Sequence, residues 1–169
     1  ITGESAILFY LVAYSAMTLG VFGIIAYLNS KVESVVSVDD LAGLQETHPY
    51  LAATMTLFLF SLIGIPLTAG FFGKFYLILG ALSTTPPVAM GSWYQVLVLI
   101  ALLNAGIAAY YYLRVVGVMY TRSSFRPAEK LGSSPILVAV AVCAVVTLLF
   151  GLYPSPLLSA ARNSLAMVP

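Results

Sequence analysis

Ser61-Leu-Ile-Gly-Ile-Pro-Leu-Thr-Ala-Gly-Phe-Phe-Gly-Lys74 is an apolar stretch with four helix-weakening residues, and it ends on a lysine. The helix-weakening residues are Gly64, Pro66, Gly70 and Gly73. A proline inside a helix removes one backbone hydrogen bond and clashes with the preceding turn, and glycine also destabilises a helix. The stretch therefore predicts a helix that is broken within an apolar run, with an ionisable group just beyond the break.

The composition is that of an integral membrane protein. The chain has 169 residues, of which 61% are hydrophobic and only 8% are charged. An ordinary soluble domain carries about 25% charged residues, so this chain has too few charges to cover a surface that faces water. The net charge of +1 comes from basic residues scattered among apolar runs, which gives no indication of nucleic-acid binding. The single cysteine, Cys143, is interpreted as a small apolar residue within a helix.

Four apolar segments predict an all-α transmembrane bundle of four spanning helices. They lie at about residues 5–29, 50–82, 93–120 and 135–153, and together they make residues 1–169 a single membrane segment. About 20 apolar residues cross the ~30 Å hydrocarbon core of a bilayer. The second segment would be about 50 Å long as one straight helix, which is far longer than the core. We therefore expect it to be discontinuous, with a break near residues 64–69.

Lys74 is the main candidate for a functional residue. It precedes the end of the second segment at Leu82 by about 12 Å of helix, and a lysine stem reaches only about half that distance. If this part of the helix is inserted, the ammonium stays inside the membrane, where an ionisable residue is costly and marks a functional site. We expect Lys74 to take up and release a proton. A lysine that reaches the interface because the helix ends elsewhere is the alternative.

His48 is a second, weaker candidate for proton transfer. It lies just before Pro49, at the entry to the second segment. A loop histidine at a helix start is the simpler interpretation, because proline is common in the first helical turn. A place at a proton entrance is the other, because histidine changes its charge near neutral pH.

Polar residues also occur in the third apolar segment. Tyr110, Tyr111 and Tyr112 are typical of an interfacial aromatic belt. Three consecutive helical residues point in different directions, so at least one of them must face protein, where its hydroxyl could join a chain of hydrogen-bonded water. Asn104 is interpreted as a donor of an interhelical hydrogen bond.

The distribution of basic residues predicts the orientation of the chain. Five of them lie in or beside the first and third connections, and one lies on the opposite side; the five are Lys31, Arg114, Arg122, Arg126 and Lys130, and the one is Arg162. Lysine and arginine are enriched in cytoplasmic loops. The first and third connections are therefore predicted to be cytoplasmic.

The stretch that ends at Lys74, extended to Phe75, resembles the signature of the antiporter-like membrane subunits of proton-pumping NADH:quinone oxidoreductase, respiratory complex I. These subunits share a fold with subunits of Mrp-type sodium/proton antiporters. Asp40-Leu-Ala-Gly-Leu44, His48-Pro49 and Tyr110-Tyr-Tyr-Leu-Arg114 resemble the subunit N type, called subunit 2 in mitochondria. The resemblance extends over essentially the whole chain and implies the C-terminal portion of such a subunit.

The resemblance implies a proton-translocating membrane subunit of the bacterial inner membrane, with Lys74 as the relay on the broken helix. The chain itself would hold no redox site or cofactor, because NADH, FMN, iron–sulfur clusters and quinone would be bound by partner subunits. Its partners would be the other membrane subunits of complex I, the upstream helices of its own subunit and the lipid bilayer, with no nucleic acid. A subunit of an Mrp-type cation/proton antiporter is the alternative. A structural helix bundle in which Lys74 only pairs with a carboxylate is a third.

Overall fold

Every regular element in the described part of the chain is helical. The computed structural model describes residues 3–29, 37–83, 91–123 and 134–166. Within these ranges the chain forms seven α-helices and one short 3-10 helix at Val38–Leu41. The α-helices are α1 (Gly3–Leu28), α2 (Leu44–Thr47), α3 (Pro49–Ile63), α4 (Ala69–Ser83), α5 (Gly91–Thr121), α6 (Ser134–Leu152) and α7 (Ser155–Ala166). The all-α prediction is confirmed for these residues.

Three of the helices in the described ranges are long and apolar enough to cross a bilayer, namely α1, α5 and α6. The apolar helices α3 and α4 have 15 residues each. A helix of that length measures about 22 Å, which is less than the ~30 Å core of a bilayer. The chain is therefore a multi-pass membrane protein. The predicted four spans result only if α3 and α4 together cross the bilayer once.

Helix α1 is the centre of the bundle and contacts α3, α4, α6 and α7. One cluster of buried residues joins α1 to α3, α5, α6 and the connection that precedes α3; its members are Ile24, Leu28, Leu41, Leu44, Ala52, Met55, Phe58, Leu59, Met119 and Val140. A second cluster joins α1 to the start of α4 and contains Phe9, Ala13, Met17 and Ala69. Because α1 packs against both α3 and α4, it holds these two helices in a fixed relation.

The connection between α1 and α3 folds back onto the end of α5. Leu41 and Leu44 are buried in the first cluster, next to Met119 of α5. Asp39 forms an exposed salt bridge with Arg122, just after α5. Three of the basic residues that predict the orientation lie outside the described residues, namely Lys31, Arg126 and Lys130.

Candidate proton-transfer site at the helix interruption

Helix α3 ends at Ile63 and helix α4 begins at Ala69, and we call residues 64–68 the interruption. Gly64 has a left-handed conformation with a φ of 95°. The N–H groups of Gly64 and Ile65 both donate to the Phe60 carbonyl, at 3.0 and 3.1 Å, which closes the last turn of α3. A residue with a side chain would be destabilised in this conformation by about 1–2 kcal/mol. Gly64 is therefore the residue that permits α3 to end here.

The rest of the interruption is a tight turn. The Thr68 N–H donates to the Ile65 carbonyl at 3.3 Å, and Pro66 and Leu67 are the two central residues. Leu67 has a φ of 72°, which is unusual for a leucine and matches the third position of a type II turn. A conformation of this kind is disfavoured by about 1–3 kcal/mol and persists only where the surrounding structure holds it.

Helix α6 supplies part of that support at Gly151. A Cβ atom placed on Gly151 would lie 2.5 Å from the Leu67 carbonyl oxygen and 2.8 Å from the Thr68 Cα. The backbone of the turn thus packs directly on the backbone of α6. Gly151 is a supporting residue that was not identified from the sequence.

Each of the two helix ends at the interruption is capped by a side chain from the other helix. The Lys74 Nζ, on α4, donates to the carbonyls of Leu62 and Ile63 at the end of α3, at 2.8 Å each. In return, the Ser61 Oγ, on α3, accepts from the Gly70 N–H at the start of α4, at 3.1 Å. Carbonyls at the end of a helix have no intrahelical partner, and the partial negative charge there favours a cation. Lys74 therefore satisfies the last carbonyls of α3 as well as placing a charge beside the interruption.

We expect Ser61→Ala to lower the thermal stability of the full-length protein in detergent. Ser61 is fully buried, so its loss leaves the buried Gly70 N–H without an acceptor. An unsatisfied buried donor is destabilising by about 1–3 kcal/mol. Ser159→Ala is the matched control, because the Ser159 hydroxyl is exposed and donates to a carbonyl within its own helix. Equal melting temperatures for the two variants would contradict the capping role of Ser61.

Gly64 and Pro66 lie in the interruption, whereas Gly70 and Gly73 lie in the first turns of α4. A Cβ atom on Gly70 would lie 1.8 Å from the Ser61 carbonyl oxygen. A Cβ atom on Gly73 would lie 3.0 Å from a ring carbon of Tyr10, on α1. In this structure the latter two glycines provide close packing of α4 on its neighbours.

Lys74 borders a cavity of about 530 Å³ between α1, α4 and α5 that reaches the end of α3. Most of its lining is apolar. The polar residues in the lining are Lys74, Tyr10, Tyr14, Asn104 and Tyr112. Lys74 is half-buried, and no carboxylate among the described residues forms a salt bridge with it. Its hydrogen-bond partners there are backbone carbonyls instead.

Three tyrosines face this cavity from two helices. Tyr10 and Tyr14 lie one turn apart on α1 with their rings stacked, at a centroid distance of 5.6 Å. Tyr112, on α5, lines the same cavity, whereas Tyr110 and Tyr111 are 67% and 59% exposed. Tyr10 and Tyr14 were not identified from the sequence. Their spacing of four residues, which places two side chains on the same face of a helix, was the available signal.

His48 lies at the other end of α3. It connects α2 to α3, and its Nδ1 is buried without a hydrogen-bond partner among the described residues. The carbonyls that accept from Lys74 are at the far end of the same helix, about 20 Å away along its axis. The structure thus does not bring His48 and Lys74 together.

The fold and the site define a class of multi-pass helical membrane proteins. In this class two apolar helices follow each other across an interruption, and a lysine of the second donates to the carbonyls at the end of the first. Residues 1–100 match the family model described as "NADH:quinone oxidoreductase/Mrp antiporter, TM". The chain belongs to this family, as its resemblance to the antiporter-like subunits predicts.

The chain is similar to several curated proteins named NADH-quinone oxidoreductase subunit N. It is 39% identical to that of Trichlorobacter lovleyi over 99% of this chain and 33% of the relative. It is 39% identical to that of Bdellovibrio bacteriovorus over 96% of this chain and 32% of the relative. For Granulibacter bethesdensis the identity is 42%, over 94% of this chain and 32% of the relative. The chain therefore spans about a third of the length of the curated relatives it matches.

A solved structure has the same fold. It is respiratory complex I from Thermus thermophilus with bound aureothin, in which one chain superposes with a TM-score of 0.76 at 26% identity. The match covers 94% of this chain and 34% of that chain. The arrangement of helices described above is thus found in one chain of that structure of respiratory complex I.

Proposed function

We propose that this chain is part of a proton-translocating membrane subunit of a bacterial NADH:quinone oxidoreductase, of the subunit N type, in which Lys74 relays protons. One observation carries the proposal: the Lys74 ammonium lies at the end of an interrupted helix and also borders a cavity. The family of the chain and the names of its relatives support the assembly. An ionisable group at membrane depth is a functional-site candidate by default.

In this proposal α3, the interruption and α4 together form one discontinuous span. Each helix is about 22 Å long and cannot cross the bilayer alone. Irregular backbone at membrane depth is tolerated where protein buries it or where it lines a water-filled cavity. Burial by protein is supported by the packing of Gly151 on the turn and by the hydrogen bonds from Lys74 to the α3 carbonyls.

The redox chemistry belongs to other subunits in this proposal. NADH, FMN, iron–sulfur clusters and quinone are bound by partner subunits, and this chain contributes to translocation without a redox site. Its partners are the other membrane subunits of the complex and the remainder of its own subunit. The first and third connections face the cytoplasm, in agreement with the basic residues they carry. His48, in the first of these connections, is the proposed entrance for protons.

A subunit of an Mrp-type antiporter is the second candidate, because the matching family model covers both kinds of protein. The two candidates differ in what drives proton movement. In complex I it is NADH oxidation, whereas in an antiporter it is the gradient of another cation.

A hybrid subunit tests the proposal. The corresponding third of subunit N in a culturable bacterial relative is replaced with this chain, in a strain that lacks its own copy. We expect the hybrid to restore NADH-driven acidification of inverted membrane vesicles, with the strain lacking the subunit as the control. Vesicles that contain the assembled hybrid and oxidise NADH without acidification would contradict the proposal. Exchange of sodium for protons by those vesicles without NADH would favour the antiporter.

A further inference from the structure

We infer that Lys74 exchanges its proton without leaving its two carbonyl acceptors, and that the hydroxyls of Tyr10, Tyr14 and Tyr112 carry this proton through water in the adjoining cavity. The inference rests on the proposed relay function of Lys74 and adds the groups that would carry its proton. It assigns a role to three tyrosines in the lining of the cavity.

The hydrogen bonds of Lys74 determine which proton is exchanged. A lysine ammonium has three N–H donors and no acceptor. Two of these donors are used by the carbonyls of Leu62 and Ile63, each at 2.8 Å. A carbonyl oxygen only accepts, so neither of these two partners can take up a proton to become a donor. The third N–H is left for the cavity that Lys74 borders.

Loss of this third proton leaves both carbonyl bonds in place. The neutral amine has two N–H donors, which continue to donate to Leu62 and Ile63, and one lone pair where the third N–H had been. The lone pair can then accept a proton from water in the cavity that Lys74 borders. Lys74 can thus be loaded and unloaded while it continues to cap α3.

Three tyrosines of α1 and α5 line the cavity that Lys74 borders. Tyr10 packs directly on α4, since a Cβ atom on Gly73, next to Lys74, would lie 3.0 Å from its ring. Tyr14 stacks on Tyr10. Tyr112 lines the same cavity from α5. The three tyrosines and Lys74 therefore line one cavity.

The proton balance of the route is complete with water as the only added reactant. Lys74 gives its third proton to a water molecule and becomes a neutral amine, and that water passes one of its own protons onward. Each tyrosine hydroxyl accepts a proton on its oxygen and releases the proton it held, so that it ends neutral. A water molecule occupies about 30 Å³ in the liquid, so the cavity has room for several.

Tyrosine-to-phenylalanine changes test the route in the assembled complex with the hybrid subunit. Phenylalanine keeps the stacked rings and removes only the hydroxyl. We expect the triple variant Y10F/Y14F/Y112F to lose most NADH-driven pumping while its NADH oxidation in uncoupled vesicles is retained. The matched control is Y110F/Y111F, which removes two exposed hydroxyls from the same stretch of α5 and should pump like the parent.

Parental pumping by the triple variant would overturn the route. If Lys74→Ala abolishes pumping in the same experiment, the relay function stands and only the route fails; if Lys74→Ala also pumps, the proposed function fails. Should the triple variant not assemble, Tyr14→Phe alone keeps the test decisive, because Tyr14 is already 43% exposed and contributes less to packing. Full pumping by that single variant would then count against the route, and a clear loss would support it.

Discussion

Lys74→Ala is expected to abolish proton pumping by the assembled complex that carries the hybrid subunit. The variant removes the ionisable group at the interruption, and a positioned proton-transfer group contributes typically about 10²- to 10⁴-fold to its step. Acidification of inverted vesicles per NADH oxidised is the measurement. The amount of assembled complex in the membrane is measured in parallel, so that lost pumping is not confused with lost protein.

Two further variants separate the relay role of Lys74 from its capping role. Lys74→Arg keeps a positive charge and donors for the α3 carbonyls, but arginine stays protonated and cannot release a proton. Lys74→Met removes both the charge and the donors. We expect neither to pump, and we expect Lys74→Arg to be the more thermally stable of the two. If Lys74→Arg restored pumping, Lys74 would serve only to cap the helix, and the relay would be wrong.

The interruption was predictable because it depends on local chemistry. Gly64 and Pro66 disfavour a helix whatever surrounds them, and the length of the apolar run indicates that one straight helix does not fit the bilayer. The expectation that Lys74 lies within the membrane rests on its distance from Leu82, calculated from the rise of a helix per residue, and stays a prediction. The all-α architecture followed from the same apolar runs.

The partners of Lys74 were not predictable, since they are backbone carbonyls that any residue supplies. Gly70 was interpreted as a helix breaker, yet it lies within α4, where it permits close packing on α3. The cap of α4 by Ser61 depends on tertiary packing, as does the support of the turn by Gly151. Tyr10 and Tyr14 lie on a different helix from Lys74, and a single sequence does not indicate which helix faces of a bundle meet.

Gly70→Ala is expected to be strongly destabilising, although alanine is normally the better helix former. The added Cβ would lie 1.8 Å from the Ser61 carbonyl oxygen and 3.2 Å from the Ser61 Oγ. Overpacking of a tight site is destabilising by about 1–3 kcal/mol, and here the contacted atom is backbone, which cannot rotate away. The shift would also weaken the bond from the Gly70 N–H to Ser61, so that α4 loses its cap as well.

Gly106→Ala is the matched control for this prediction, because a Cβ atom on Gly106 meets no described atom within 4 Å. Glycine in a helix interior is less favourable than alanine by about 1 kcal/mol, so the control should be neutral or slightly more stable. The measurement is the fraction of full-length protein that stays monodisperse in detergent after heating. Similar thermal stabilities for the two variants would show that α3 and α4 do not cross this closely. The hydrogen bonds from Lys74 to the carbonyls of Leu62 and Ile63 depend on this close approach. That result would therefore also count against the position of Lys74 beside the cavity.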